Sequence, residues 1–245
     1  MAEPDAIPAA TVVVMRDRAG AAPELLIVER SKAMSFAGGA LVFPGGRVDA
    51  GDLAYAAGDD EHAARIAAVR ECIEEAGVAP GVVPSPDAAG LAAMRGRLHA
   101  GEAIGVALGA ARIDLDALVP FARWLPRGVT HRVFDTRFYL ACLPDDAPEP
   151  VVDATENTRV FWATAAQVLA DADAGRATII FPTRRNLERL ALFGSFAEAV
   201  AHARAHPVRT ITPWTEARDG ADHLCIPGDL GYPVTSQPLA TALRA

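Results

Sequence analysis

Between residues 60 and 76 apolar positions recur at helical spacing. At 100° per residue Ile66, Val69, Ile73 and Ala76 share one stripe, and Glu71, Glu74 and Glu75 fall opposite it. Asp59 or Asp60 suits the N-cap and Gly77 a left-handed C-terminal cap, so the pattern predicts a helix over 60–76 with one face docked in a core. Elsewhere the pattern is that of strands. Thr11 to Met15 and Leu25 to Glu29 are apolar runs joined by a polar turn, a predicted hairpin. Val119 to Trp124, Val133 to Leu143 and Thr158 to Trp162 read as further strands.

Further helices are predicted over 87–108 (Ala-rich and read as continuous), 165–172, 183–192 and 196–205. Residues 53–58 carry small residues without helical periodicity and are expected to form an irregular surface excursion. Residues 210–226 suggest a hairpin turning at Asp219-Gly220. Strands mixed with helices fit an α/β sandwich.

The chemistry concentrates in the predicted helix. Glu71, Glu74 and Glu75 stand at i, i+3 and i+4 and project from one face. Like charges at that spacing destabilise a bare helix by about 0.2–0.5 kcal/mol per pair. A hard divalent cation with oxygen ligands is the natural counter-charge. Arg70, one turn before Glu74, is placed to pair with it and orient it. Upstream, the run Leu41-Val-Phe-Pro-Gly-Gly46 is an apolar strand entering paired glycines, Gly45 and Gly46, which let backbone approach a ligand closely.

Together these segments resemble the Nudix hydrolase signature. Gly46 matches its first glycine, and Arg70, Glu71, Cys72, Glu74, Glu75, Gly77 and Val78 match its end. Asp52 replaces the mid-motif Glu, and residues 53–69 form a longer spacer than the general motif has. The long spacer is similar to that of the subfamily that includes the peroxisomal acyl-coenzyme A diphosphatase of eukaryotes and many bacterial relatives. Phe36 to Gly46, Leu118 to Trp124, Arg132 to Phe138, Asp153 to Glu156 with Trp162, and Phe181-Pro-Thr183 resemble other parts of that subfamily, whereas Trp124-Leu-Pro-Arg127 departs from it.

The resemblance implies a Nudix-type α/β/α sandwich with a mixed sheet. Residues 1–175 would form the hydrolase domain, with the insert at 53–69, and 176–245 a helical and hairpin extension packed on it. It implies Mg²⁺ or Mn²⁺ as cofactor, with Glu71 and Glu75 as leading metal ligands, Glu74 the next, and the Gly45 carbonyl assisting. One of the carboxylates would take a proton from the attacking water. Glu156 stands where many Nudix enzymes place another ligand or base, with a solvated loop position the alternative. Asp52 is expected to be structural or to support a ligand.

The substrate implied is a nucleotide diphosphate derivative, with coenzyme A or acyl-CoA favoured. ADP-ribose, NADH or a nucleotide sugar is the alternative enzyme substrate, and a non-catalytic ligand sensor the non-enzyme reading. The cationic candidates for its phosphates are Arg132, Arg137, Arg184 and Arg185. Arg137 reads first as the partner of Asp135 in the sheet, and Arg184 with Arg185 reads equally as an exposed basic turn.

Composition narrows the setting. Of 245 residues 51% are hydrophobic, enough for a sizeable core, and the net charge of −8 argues against a nucleic-acid backbone as main partner. Three cysteines, Cys72, Cys142 and Cys225, lack metal-type spacing, so a reduced cytoplasm is expected, with Cys72 as core filler. No run of 18 apolar residues predicts a membrane span, and a homodimer is compatible with the sequence. His131 is expected at the surface, and Trp124, Trp162 and Trp214 in the core.

Overall fold

Alternation with a period of two builds the centre of the molecule. In the computed structural model, which describes residues 6–34, 37–127, 132–144, 147–153, 155–218 and 220–242, strand β1 (Ile7–Arg18) forms a hairpin with β2 (Ala21–Arg30). Ala10, Val12 and Val14 of β1 join one apolar cluster, while Val13 and Met15 join the other, so the sheet is buried on both faces.

The short strands β3 (Leu41–Val42) and β4 (Gly45–Arg47) pair with β2 and β1 respectively. Helix α1 (Ala50–Tyr55) and the 17-residue α2 (Asp60–Ala76) follow. A small ribbon of β5 (Val82–Val83) and β6 (Arg112–Ile113) brackets α3 (Ala88–His99) and α4 (Ile104–Ala107). The sheet then gains β7 (Val119–Trp124), β8 (Phe134–Cys142) and β9 (Asn157–Thr164), before α5 (Ala165–Asp173), α6 (Phe181–Leu190) and α7 (Phe196–Ala205). β10 (Thr210–Ile211) closes it, giving the order β10-β7-β8-β1-β2-β3, with β4 also on β1 and β9 on β2. β1 with β8 and β7 with β10 are parallel, and the other pairs are antiparallel.

Helices α2, α3 and α4 contribute to the cluster under one face, and α5, α6 and α7 to the cluster under the other. This is the mixed-sheet α/β/α sandwich expected from the sequence. The extra C-terminal elements continue as β11 (Trp214–Arg218), β12 (Ala221–Cys225), β13 (Ser236–Pro238) and α8 (Leu239–Ala242). Among the described residues no helix is long and apolar enough to cross a membrane.

Four expectations change. Residues 53–58 are not irregular throughout, because α1 occupies 50–55. The Asp49 carboxylate accepts from the Asp52 N–H while Asp52 accepts from the Asp49 N–H, a capping box that nucleates a short helix without an apolar stripe. The helix predicted over 87–108 is two, interrupted where Gly101 takes φ of +84°. Thr210–Ile211 leaves the predicted hairpin to pair with β7, so the hairpin is β11–β12 alone. Trp214 is 42% exposed on β11, whereas Trp124 is buried and Trp162 half-buried beneath Arg16. Phe36, His131 and Asp219 lie outside the described residues.

Candidate active site on the motif helix

Helix α2 starts at Asp59, whose carboxylate accepts from the His62 N–H, and ends at Gly77 in the left-handed conformation, φ 61° and ψ 38°. Its central turns face β4. There the two glycines make room: a Cβ on Gly46 would overlap the Glu71 carboxyl, and one on Gly45 would stand 2.5 Å from the Ala10 carbonyl oxygen. The Gly45 N–H donates to the Glu75 carboxylate at 2.9 Å, so the contact this glycine makes with the acidic face is through its N–H.

Arg70 organises the rest. Its Nε and Nη2 donate to the Asp52 carboxylate at 3.0 and 2.9 Å, and Nη2 also donates to the Arg47 carbonyl at 2.8 Å. Nη1 donates to Glu71 at 2.9 Å and to Glu74 at 3.2 Å. All three guanidinium nitrogens therefore have acceptors, a fixed fork that aligns the two glutamates. Burial opposes the charge on Arg70, yet Asp52, Glu71 and Glu74 hold it firmly protonated. Asp52 is fully buried as the principal partner of Arg70, so the expected Arg70–Glu74 pair is one contact of a larger hub. The sequence signal for Asp52 was its place at N3 of the capping box.

The acids outnumber the base. Burial, with the neighbouring Glu74, raises Glu71 to about 7 despite Arg70; burial, with Glu71 close by, raises Glu75 to about 8. Glu75 is 5% exposed. Carboxyls under such pressure fit a hard divalent cation, since oxygen donors and excess negative charge are what Mg²⁺ and Mn²⁺ require. Among the described residues no three acidic, His or Cys side chains already converge as a metal cage. Glu71 and Glu74 lean on Arg70.

Two groups that sequence reading missed complete the site. Arg95 on α3 donates to the carbonyls of Glu74 and Glu75 at 2.9 and 3.3 Å, satisfying the open end of α2. Asn157, at the start of β9, is buried beside Glu75. Neither has a local sequence signal, because both act across long chain separations.

The remaining candidates are dispersed. Glu156 is exposed, its N–H bonded to Asp153 and its carbonyl to the Ser31 N–H. Arg137 pairs with Glu61 at 3.2 Å, ten residues before Glu71 and so about 15 Å along the helix. Asp135 takes Arg123 instead, at 2.7 and 2.5 Å, which replaces the expected Arg137–Asp135 pair. Arg132 is exposed just before β8. Arg184 pairs with Asp173 at 2.7 Å, and Arg185, 2% exposed, bonds Glu188 and Gln237 inside the protein. Both lie on α6, on the sheet face opposite α2, so Arg185 is not the exposed basic residue its position suggested.

Comparison with known proteins places the chain among similar sequences and structures. A family profile described as the NUDIX domain matches residues 6–95. The human acyl-coenzyme A diphosphatase NUDT19 is 29% identical over 273 residues, covering 85% of this chain and 72% of that protein. A crystal structure of a NUDIX hydrolase from Alicyclobacillus acidocaldarius aligns with a TM-score of 0.71 at 29% identity, covering 80% of this chain and 96% of that one.

Proposed function

We propose that the chain is a Nudix hydrolase, supported by its similarity to that family, and that it cleaves the diphosphate of coenzyme A or an acyl-CoA with Mg²⁺ or Mn²⁺ held by Glu71, Glu75 and Glu74. The observation that carries the metal reading is the half-buried Glu71 and buried Glu75 carboxyls packed against Gly45 and Gly46, in a cluster where acids outnumber Arg70. The substrate reading is supported by the similarity to an acyl-coenzyme A diphosphatase along 85% of the chain.

Bound there, a divalent cation would neutralise diphosphate charge and acidify a bound water. The chain's own residues do the rest. Arg70 keeps Glu71 and Glu74 extended along one helix face, and its bond to buried Asp52 fixes the guanidinium. The Gly45 N–H fixes one oxygen of Glu75, leaving the other for ligation. A carboxylate freed from Arg70 is available to accept the proton of the attacking water. Arg132 and Arg137 lie on the β8 side of the sheet as candidates for outlying phosphate.

The test is kcat/KM with Mg²⁺ or Mn²⁺ for CoA, acyl-CoA, dephospho-CoA, ADP-ribose and NADH, with products identified by mass. Preference for CoA or acyl-CoA, releasing phosphopantetheine (or its acyl form) and adenosine 3′,5′-bisphosphate, is expected. Equal or better use of ADP-ribose would move the substrate to the other diphosphates. Absence of turnover on all of them despite metal binding would favour a ligand sensor.

A further inference from the structure

Asn157 is 1% exposed, yet neither its amide oxygen nor its amide nitrogen has a hydrogen-bond partner. Buried polar groups are paired in the great majority of native proteins, so a carboxamide orphaned at both ends marks a place where something polar is meant to be.

The loop before it dictates where it points. The Asp153 carboxylate accepts from the N–H groups of Thr155, Glu156 and Asn157 at 3.1, 2.7 and 3.1 Å, and from the Thr155 hydroxyl. The same loop is tied to the end of α2, where the Asp153 N–H donates to the Glu75 carbonyl at 3.2 Å and the Val151 N–H to the Ala76 carbonyl at 2.8 Å. On the other side Asn157 is in register with Arg30 of β2. These ties bring the Asn157 amide beside the Glu75 carboxylate. The exposed neighbour Glu156 spends its backbone in the turn.

We propose that Asn157 is a positioning residue of the carboxylate centre: its unpartnered amide nitrogen is placed to hold Glu75 jointly with the Gly45 N–H, and its unpartnered amide oxygen would add a neutral donor for the same cation. Asp153 acts through the turn that sets it. The inference rests on reading Glu75 as a cation ligand.

The experiment measures Mn²⁺ affinity from the electron-spin-resonance signal of free Mn²⁺, together with thermal unfolding with and without Mn²⁺. Asn157→Leu, similar in size but apolar, is expected to weaken Mn²⁺ binding by about tenfold or more while remaining folded. A dissociation constant within about twofold of the parent's would overturn the proposal. If Asn157→Leu does not fold, Asn157→Asp decides. It sets a second carboxylate beside Glu75, so Mn²⁺ should raise its Tm more than it raises the parent's, since a ligand stabilises as its affinity rises. An equal or smaller Mn²⁺-induced rise would contradict the placement. If the parent chain itself binds no Mn²⁺, the reading of Glu75 fails first; if the parent binds and the variants bind alike, the role of Asn157 alone fails.

Discussion

Arg70 and Arg185 are both buried guanidiniums, and their surroundings are opposites. Around Arg70 every guanidinium nitrogen has an acceptor, and carboxylates remain in excess. Around Arg185 the base is in excess: Nε and Nη1 have no hydrogen-bond partner, and burial lowers its pKa despite Glu188. One turn on, Arg189 donates to the Phe121 carbonyl at 3.0 Å and lies over the rings of Phe121 and Tyr232. Burial and Arg189 push His202 down to about 4, keeping it neutral. The cationic interior of α6 is closed in by aromatic rings and works as architecture. The acidic face of α2 meets backbone glycines, and its carboxylates outnumber the Arg70 that they share. A basic pair at a helix start is therefore a weaker guide to phosphate chemistry than acids that outnumber their partner.

The largest contrast should come from removing each arginine. Arg70→Met leaves Asp52 buried without its counter-charge and should cost about 3–5 kcal/mol in urea unfolding. Metal binding should fall with it as Glu71 and Glu74 lose their alignment. Arg185→Met also removes orphaned donors, so its cost should stay below about 1 kcal/mol, because an unsatisfied buried donor is itself unfavourable by about 1–3 kcal/mol. Similar losses in the two variants would erase the distinction.

Next in size is Glu75→Gln. The amide can still accept from the Gly45 N–H, so the fold should persist, while kcat falls by about 10²-fold or more as a charged ligand is lost. Near-normal turnover, or full activity in excess EDTA, would break the assignment.

A pH profile sharpens the acid side. Burial pushes Glu71 up from 4.5 to about 7 and Glu75 up to about 8, so the fold favours their protonated forms. Their contribution to metal-free stability therefore declines as pH rises from about 4.5 through about 8 and levels off above it. Metal-free protein should melt several degrees lower at pH 8.5 than at pH 5.5 (about 2–4 °C per kcal/mol at this size), and Mg²⁺ should restore the difference. Glu75→Gln should flatten the profile. A metal-free Tm that rises across this range would contradict the origin of the shifts.

Much of this was legible in the sequence where the signal is local and periodic. The stripe of Ile66, Val69, Ile73 and Ala76, the cap at Asp59 and the left-handed Gly77 define α2, and all four stripe residues are buried. The alternation in β1 and β2 fixed which residues meet each layer. What was not legible depends on distant contacts. Helix α1 has only six residues, and its signal was the Asp49–Asp52 capping box instead of an apolar face. Arg95 and Asn157 reach the site from α3 and β9, and nothing beside them in sequence announces it. Arg185 reads as an exposed basic residue until the fold encloses it with Glu188 and Gln237.

The most direct test of the claim that the acidic face of α2 exists to hold a cation is a crystal grown with Mn²⁺, read by anomalous diffraction. The account predicts one strong anomalous peak between the carboxylates of Glu71 and Glu75, against β4, with Glu71 turned away from Arg70. Anomalous density only elsewhere, or none at saturating Mn²⁺, would contradict it.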